Sequence, residues 1–456
     1  MSGPVTRADL EALKLKKFRA LVRHAQARAP YYANIIRERG IDPDACVPAD
    51  FPVLTKSLLM ANFDSIVTDS RITRQVVADF LTRSSDPADR LFNEITVLHT
   101  SGTSGEVGYF LYAPADLARM NPRAFRNRQS RMRLPRRAKR LRRVRIAFYG
   151  ATGGHYAGVT SVTSLRRGLK RLFLKVDAFE VNTPLPTVVE QINRFEPDLL
   201  IGYTTALKML ADEQRATRLK IKPIAVLATG EMVTKADLTL LSESFGGANA
   251  SSIYACTEHM FLGASNPDGE TMTLLDDDLT FEFHEDHSII TNLFNYTMPL
   301  IRYRMSDILR PVSAPDARSI VVESLVGRSE RMPTFLNSAG ASDFVSPHTI
   351  NEIFVKGVTR FQMQLTGPSA FRFPICVDSA LTPEERSAAA AGVTTRLHQV
   401  LQQKGLGNVT FEVPIVTDIP LHPRTRKFQL IVDERAERTV SESMSALAIS
   451  PSIHAP

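Results

Sequence analysis

The feature that most constrains the fold is an alternation of short apolar segments with helix-like segments between residues 144 and 255. Residues 144–149 and 224–228 have the length and composition of buried strands, and residues 205–216 show helical spacing. Further strand-like segments lie at residues 172–176, 199–201 and 253–255. Strands that alternate with helices usually pair in parallel, because each helix returns the chain to the same end of the sheet. The sequence therefore predicts an α/β core.

The rest of the chain predicts a second, smaller domain. A length of 456 residues exceeds what one hydrophobic core usually fills. After residue 271 the pattern changes to short strands at 279–283, 288–293 and 319–323, followed by a helix at 383–404 and a strand at 409–416. We predict a large N-terminal domain of mixed and parallel sheets with helices (1–327), a small α+β C-terminal domain (328–438) and a disordered tail (439–456).

A segment of hydroxyl residues and glycines lies between two short apolar stretches, 96–98 and 110–112, that are expected to pair as a hairpin. It consists of Thr100, Ser101, Gly102, Thr103, Ser104 and Gly105. Glycines allow successive backbone N–H groups to turn toward one anion, and hydroxyls add donors, so this composition suits a phosphate. It lacks the Gly-Lys-Ser/Thr ending of the common P-loop. Taken alone, such a hexamer is more often a flexible loop.

Four further segments carry groups that suit a nucleotide. Tyr254 supplies an aromatic ring for a base, and Thr257 and Glu258 supply a hydroxyl for a phosphate and a carboxylate for Mg²⁺. Asp307 can accept hydrogen bonds from two ribose hydroxyls. The last two segments are polar, at 327–331 and 423–427. None of the four segments identifies a nucleotide site by itself. In chain order, they could instead be a strand end, a charged hairpin, a polar linker and a solvated turn.

In their order and spacing, these five motifs resemble the adenylate-forming superfamily of acyl-CoA synthetases and peptide-synthetase adenylation domains. The resemblance is strongest to the phenylacetate–CoA ligase branch, which includes the capsule-biosynthesis adenylate-forming proteins. Supporting segments are Pro30-Tyr31-Tyr32, Pro52-Val53-Leu54-Thr55-Lys56, and Asn193-Arg194-Phe195-Glu196-Pro197-Asp198 followed by Gly202-Tyr203. The similarity extends from residue 13 to residue 432.

This resemblance implies that the chain activates a carboxylic acid with ATP and Mg²⁺ to an acyl-AMP and releases pyrophosphate. The acyl group would then pass to a thiol of coenzyme A or of the phosphopantetheine arm of an acidic carrier protein, or alternatively to an amine. Glu258 would hold Mg²⁺, Thr257 would contact the α-phosphate, and Lys427 would bridge the carboxylate and the α-phosphate. Glu330 would be the hinge about which the small domain rotates.

By the same resemblance, a larger set of residues would contact ATP or AMP, with Tyr254 stacking on adenine and Asp307 holding the ribose. The set comprises Thr100, Ser101, Gly102, Thr103, Ser104, Gly105, Gly230, Glu231, Tyr254, Ala255, Cys256, Thr257, Asp307 and Arg328. Cys256 is not expected to act as a nucleophile, since no activating base is recognisable beside it.

The pocket for the acid is expected among glycines, aromatic residues and histidines. These residues are Tyr149, Gly153, Gly154, His155, Tyr203, Gly230 and His259. Such a lining suits a flat aryl acid. His155 and His259 could bind a polar substituent or the carboxylate, although a structural role is the more common one for a histidine in such a position.

Several positions depart from the family pattern. Ala255 and Ser306 stand where the family usually has glycine, and Glu330 stands where it usually has aspartate. The lysine that commonly follows the phosphate loop is also missing, because Glu106-Val107-Gly108 occupies that place. These departures bear on domain closure more than on the first half-reaction.

The charge distribution raises a further function class. The formal net charge is +8, and between Arg123 and Arg145 the chain has many basic and no acidic residues. This run suits the phosphates of coenzyme A, an acidic carrier protein or nucleic acid, and a solvated face without a partner is equally compatible with it. Nucleic-acid binding is disfavoured because Phe125 is the only aromatic residue of the run on which a base could stack.

Two other classes are also disfavoured. A catalytically inactive scaffold would not require Thr257, Glu258, Asp307 and Lys427 together. No apolar stretch is long enough to span a membrane, the first residues lack a signal-peptide pattern, and the three cysteines form no disulfide framework or metal motif. The sequence therefore favours a cytoplasmic enzyme and does not predict an oligomeric state.

Overall fold

The computed structural model describes most of the chain. The described residues are 6–100, 107–120, 142–166, 169–285, 287–305, 307–314, 317–323, 333–345, 349–350, 353, 355, 357–420 and 430–435. Among them, no helix combines the length and the apolar character needed to cross a bilayer.

In the described part of the chain, five α-helices precede the first strand: α1 (Arg7–Arg28), α2 (Pro30–Arg39), α3 (Lys56–Ala61), α4 (Phe63–Ile66) and α5 (Arg74–Arg83). Thr6 begins α1 with a capping box, in which its hydroxyl accepts from the Asp9 backbone N–H at 3.2 Å. Pro30 ends α1 and begins α2, because it has no N–H to continue the first helix. The helical spacing of residues 7–38 predicts a helix that Pro30 breaks, and the segment at 52–56 predicts a helix capped by Thr55; both are confirmed.

The phosphate-loop candidate is flanked by an antiparallel hairpin of β1 (Thr96–His99) and β2 (Tyr109–Tyr112), as predicted. The helix α6 (Pro114–Arg119) follows. Both strands are almost fully buried, and they pack in a hydrophobic core with α1 to α5.

The predicted α/β core is an eight-stranded sheet. Its elements in chain order are β3 (Val144–Gly150), α7 (Ala157–Thr163), α8 (Lys170–Phe173), β4 (Leu174–Glu180), α9 (Leu185–Phe195), β5 (Leu199–Tyr203), α10 (Thr204–Arg215), β6 (Ala225–Thr229), α11 (Lys235–Ser244), β7 (Asn249–Cys256), β8 (Met260–Ser265) and β9 (Thr271–Leu274). With β13 (Val321–Glu323) at one edge, the strand order is β13-β9-β8-β7-β6-β5-β3-β4. Strands β3 to β7 pair in parallel, which confirms the prediction, and the β7-β8-β9-β13 part is antiparallel.

One strand of this sheet, β4, begins two residues later than the sequence predicts. The sequence predicted a strand at 172–176, but residues 170–173 form a helical turn and β4 begins at Leu174. The partner strand explains the difference, because β3 begins at Val144, which is opposite Leu174. Among the described residues, the pairing of β3 with β4 begins at these two residues, so residues 172 and 173 have no strand partner there.

A separate three-stranded antiparallel sheet joins β10 (Leu279–Phe283), β11 (Ser288–Asn292) and β12 (Tyr303–Met305). This part of the chain carries the segment with Asp307 directly after β12.

The C-terminal part contains short strands around one long helix. The strands are β14 (Thr334–Leu336), β15 (Ser342–Phe344), β16 (Val358–Phe361), β17 (Met363–Gly367), β18 (Ala370–Arg372), β19 (Ile375–Val377), β20 (Thr410–Glu412) and β21 (Ile431–Asp433), and the helix is α12 (Pro383–Lys404). The helix has the bounds that the sequence predicts. The strand expected at 409–416 is shorter, because Pro414 has no N–H with which to extend a ladder.

Residue contacts group the chain into two compact units. One comprises Met1–Thr100, Val107–Val181 and Val188–Gly327, and the other comprises Ser101–Glu106, Asn182–Thr187 and Arg328–Pro456. The boundaries expected at residues 327/328 and 438/439 stay predictions, and residues 324–332 and 436–456 lie outside the described part of the chain.

Candidate active site

The parallel strands of the large sheet place many candidate residues at one edge. Strands β3, β5, β6 and β7 run in the same direction and end at Gly150, Tyr203, Thr229 and Cys256. The carboxyl ends of parallel strands are where α/β proteins bind ligands. The expected acid-pocket residues lie at these ends or in the segments that follow them: Tyr149, Gly153, Gly154, His155, Tyr203, Gly230 and His259.

The turn after β6 is shaped by Gly230 and Glu231. Gly230 has a φ of +77°, and a Cβ there would lie 2.8 Å from Cδ1 of Tyr203, so only glycine fits without a shift of the tyrosine. The carboxylate of Glu231 accepts hydrogen bonds from the Thr205 backbone N–H at 2.7 Å and from the Thr205 hydroxyl at 2.9 Å. Glu231 therefore fixes this turn to the start of α10, where a negative charge is favourable.

The turn of Thr257 and Glu258, which follows β7, is held by hydrogen bonds from Tyr112 at the end of β2. The fully buried Tyr112 hydroxyl is 3.0 Å from the carbonyl oxygen of Thr257 and 2.7 Å from that of Glu258, and it donates to this pair. Sequence reasoning did not single out Tyr112. The sequence feature that could have identified Tyr112 is its position at the end of β2, the strand that follows the phosphate-loop segment.

Tyr254 and Asp307 form a direct pair. The Tyr254 hydroxyl donates to Oδ2 of Asp307 at 2.8 Å. The ring of Tyr254 is buried in the core of this unit, and burial together with the Asp307 charge raises the tyrosine pKa well above its ordinary value. Tyr254 is therefore protonated and oriented as a donor, which leaves the half-buried carboxylate of Asp307 fixed at the strand ends.

Thr100 closes the base of the phosphate-loop candidate. Its backbone N–H donates to the Gly108 carbonyl oxygen at 2.9 Å, and its hydroxyl accepts from the Gly108 N–H at 2.9 Å. The Lys56 ammonium donates to the same hydroxyl at 2.9 Å. Lys56 is the first residue of α3, so an N-terminal helix brings a cation to this loop.

Lys56 also acts on Glu258. Burial raises the pKa of the Glu258 carboxyl above its ordinary value, and the nearby Lys56 charge opposes that shift. The sequence lacks a lysine directly after the phosphate-loop segment, and the fold brings Lys56 to Thr100 at the base of that segment. The segment from Pro52 to Lys56 is recognisable in the sequence, but the sequence does not show which residue the Lys56 side chain contacts.

His155 has contacts typical of a structural histidine. It is fully buried, its Nε2 is 3.3 Å from the Ser84 hydroxyl, and its ring lies 5.0 Å from that of Phe80. Burial, and then the neighbouring His99, lower its pKa. These contacts favour the structural alternative for His155, which holds the segment after β3 against the end of α5.

His99 lies beside the expected acid-pocket residues, and sequence reasoning did not single it out. It is the last residue of β1, and its ring lies 4.5 Å from the ring of Tyr156. A Cβ on Gly154 would lie 3.5 Å from its Nε2, so the imidazole lies beside the glycine segment. The available signal was a polar residue at a strand end directly before the phosphate-loop candidate.

His259 is fully buried and lies 5.8 Å, edge to face, from the ring of Tyr303. Burial lowers its pKa to about 3, so the ring is neutral near pH 7. A neutral imidazole cannot compensate the charge of a bound carboxylate, although its nitrogens, which have no hydrogen-bond partner among the described residues, remain able to bind a neutral polar group.

The Cys256 thiol agrees with the expectation that it is no nucleophile. Burial, and then the Glu258 charge, raise its pKa well above the ordinary value, so it stays protonated.

Several predicted site residues lie outside the described part of the chain. They are Ser101, Gly102, Thr103, Ser104, Gly105, Arg328, Glu330 and Lys427, together with residues 123–141 of the basic run. Their expected roles stay predictions, as do those of the described residues Thr257, Glu258, Ala255 and Asp307.

Two curated proteins are similar to this chain over most of its length. Protein CapK of Staphylococcus aureus is 20% identical over 387 residues, which cover 76% of this chain and 76% of CapK. The phenylacetate-coenzyme A ligase of Aromatoleum evansii is 25% identical over 359 residues, which cover 71% of both chains. No protein-family model matches the chain.

The fold is shared with solved structures of 2-hydroxyisobutyryl-CoA ligase. The structure with 2-HIB-AMP and CoA in the thioesterification state matches with a TM-score of 0.52 at 17% identity, covering 95% of this chain and 92% of the ligase. The postadenylation state with R3-HIB-AMP matches with a TM-score of 0.50 at 17% identity, covering 96% and 92%. At this level of identity, these matches establish the fold.

Proposed function

Since this chain belongs to the adenylate-forming superfamily, in its phenylacetate–CoA ligase-like branch, we propose that it activates a carboxylic acid with ATP and then transfers the acyl group to the thiol of coenzyme A. In the first half-reaction a carboxylate oxygen attacks the α-phosphorus of ATP, and pyrophosphate leaves. In the second, the thiol attacks the acyl carbon, and AMP leaves. Neither step requires a nucleophile from the protein.

One observation carries this proposal: the Lys56 ammonium, the Thr100 hydroxyl and the carboxylates of Glu258 and Asp307 lie near one another at the strand ends. Lys56 donates to Thr100 at the loop base, and its charge acts on Glu258. Tyr254 orients Asp307. This arrangement offers positive charge to phosphates and a charged acceptor to ribose hydroxyls, which are the two chemical requirements of an adenosine triphosphate.

The chain's own contribution is chiefly to position the reactants. Two anions, the acid and ATP, repel each other, so fixed donors and cations must lower the cost of bringing them together. Lys56 and the loop after Thr100 are proposed to hold the departing pyrophosphate. Lys427 is proposed to bridge the attacking carboxylate and the α-phosphate, and rotation of the small domain about Glu330 would then withdraw it.

A magnesium ion fits the carboxylate of Glu258. Burial raises the pKa of this carboxyl, so a divalent cation beside it would compensate a charge that the protein only partly balances with Lys56. The proposed ion would be held by the Glu258 carboxylate and by oxygens of the nucleotide phosphates. When bound, Mg²⁺ neutralises phosphate charge and polarises the phosphoryl oxygens.

We propose an aryl acid as the substrate class. The strand-end segments offer the ring of Tyr203, the adjacent rings of His99 and Tyr156, and glycines beside them. Flat, apolar walls suit an aromatic ring. His259 is neutral, so the acid's carboxylate would find its cation in Lys427.

Coenzyme A is the proposed acceptor because the relative from Aromatoleum evansii is a coenzyme A ligase. A phosphopantetheine arm offers the same thiol. Transfer to an amine is the second candidate, since the acyl-AMP is an equally competent donor to either nucleophile.

The test is ATP–pyrophosphate exchange over a panel of aryl, fatty and amino acids, followed by product analysis with coenzyme A or an amine. We expect Mg²⁺-dependent exchange with an aryl acid and a thioester product. Folded, ATP-binding protein that shows no exchange with any acid would refute adenylation. Exchange followed by amide but no thioester would instead establish the amine alternative.

The Tyr254–Asp307 pair gives a prediction about nucleotide affinity. Asp307→Ala is expected to weaken ATP binding about ten- to hundredfold, because hydrogen bonds to a charged acceptor contribute about 1.5–3 kcal/mol. Tyr254→Phe keeps the carboxylate and removes only its orienting donor, so a smaller loss is expected. Isothermal titration with ATP measures both, and wild-type affinity in Asp307→Ala would exclude the proposed ribose role.

A further inference from the structure

The three most exposed large hydrophobic side chains of the described chain lie within five residues. They are Leu169, Leu172 and Phe173, at 78%, 59% and 69% of full exposure. Single exposed apolar residues are common on proteins, but a cluster of this kind usually marks an interaction surface. We call this cluster, in and directly before α8, the apolar tip.

Basic residues are frequent in the sequence around the apolar tip. The segment from Arg166 to Lys175 carries five basic and no acidic residues in the sequence. Arg143 reaches the tip, since its guanidinium donates to the carbonyl oxygen of Arg171 at 3.3 Å. The side chains of Arg143 and Arg171 are exposed and have no ion pair among the described residues. Arg166, in contrast, forms an ion pair with Asp177.

The tip lies at the opposite end of the sheet from the candidate active site. Val144, at the start of β3, is opposite Leu174, at the start of β4, so Arg143 and Phe173 both precede the amino ends of these parallel strands. The candidate site lies at the carboxyl ends. β4 is also the edge strand of the sheet. An occupant of the tip would therefore leave the active site accessible.

We propose that the apolar tip, with Arg143 and Arg171, docks on the surface of an anionic lipid bilayer. Protruding leucine and phenylalanine side chains flanked by arginine and lysine are the combination that binds the interface of such a bilayer: the rings and methyl groups enter the headgroup region, and the cations face lipid phosphates. A second copy of the chain fits less well, because a two-fold contact through this face would bring the same unpaired arginines together.

The test is co-sedimentation of the full-length protein with phosphatidylcholine vesicles that contain phosphatidylglycerol and with vesicles of phosphatidylcholine alone. We expect binding to the anionic vesicles that weakens as salt is raised. The variants Leu172→Ser/Phe173→Ser and Arg143→Glu/Arg171→Glu should each weaken partitioning by about tenfold or more, because each removes part of the apolar or the electrostatic attraction.

Two matched controls separate this surface from the rest of the protein. Leu13→Ser/Val312→Ser changes two other exposed apolar residues, and Lys16→Glu/Arg37→Glu makes the same charge change on α1 and α2. Both controls should bind as the wild type does, and thermal unfolding midpoints should show that all four variants are folded.

Three results would overturn the proposal. The first is equal binding of the wild type to both kinds of vesicle. The second is wild-type partitioning by either tip variant, which would place the attachment elsewhere. The third is a dimer in analytical ultracentrifugation that Leu172→Ser/Phe173→Ser dissociates, which would assign the tip to a second copy of the chain.

Discussion

Lys427→Ala is expected to lower ATP–pyrophosphate exchange by about 10²–10³-fold, the usual cost of losing one preorganised charge-stabilising donor. The reason is that Lys427 is proposed to bridge two anions only while the acyl-AMP forms. The second half-reaction does not need that bridge. Supplied with synthetic acyl-AMP and coenzyme A, the same variant should therefore form thioester at close to the wild-type rate.

The neighbouring basic residues provide the control for this prediction. Arg424→Ala and Arg426→Ala remove the same charge from the same segment and should change exchange only a few-fold. If Arg426→Ala shows the loss and Lys427→Ala does not, the bridging residue has been assigned one position too late. An equal loss in both half-reactions would indicate a folding defect or a different role.

Lys56→Met is expected to lower exchange by a comparable factor, about 10²-fold, through a different kinetic constant. Lys56 lies at the loop base, bonded to Thr100, where the departing phosphates are proposed to be held. Losing its charge should raise the KM for pyrophosphate and ATP, whereas Lys427→Ala should chiefly lower kcat. Acyl transfer from acyl-AMP should be unaffected, because that ligand has no β- or γ-phosphate.

Lys56→Arg is the matched variant, since it keeps the charge and changes only the geometry. It should retain more exchange activity than Lys56→Met. If Lys56→Met instead keeps its KM values and lowers only the thermal unfolding midpoint, Lys56 is a structural tether of Thr100 and not a phosphate ligand.

The local structure was predictable because it depends on neighbouring residues. The helix cap at Thr55, the break at Pro30 and the bounds of α12 follow from backbone chemistry within a few residues. The start of β4 was not predictable in this way. Residues 172 and 173 are as apolar as those of a strand. However, the pairing with β3 begins only at Leu174, and the side chains of residues 172 and 173 are exposed.

The α/β class is predictable from the amino-acid sequence, as are the order of the motifs and the residue types that a nucleotide requires. Which of these residues contact one another depends on the tertiary structure. Lys56 reaches Thr100 across 44 residues, Tyr254 reaches Asp307 across 53, and Tyr112 reaches the Thr257–Glu258 turn across 145 and 146.

The physical reason is that periodicity and capping act within a turn or two of the backbone. Contacts between distant residues depend instead on strand order and on how the N-terminal helices pack against the sheet. Contacts between distant residues also explain why His155 and His99 lie in different environments. His155 is buried against α5, whereas His99 lies beside the glycine segment that follows β3, and no pattern in the sequence distinguishes these two environments.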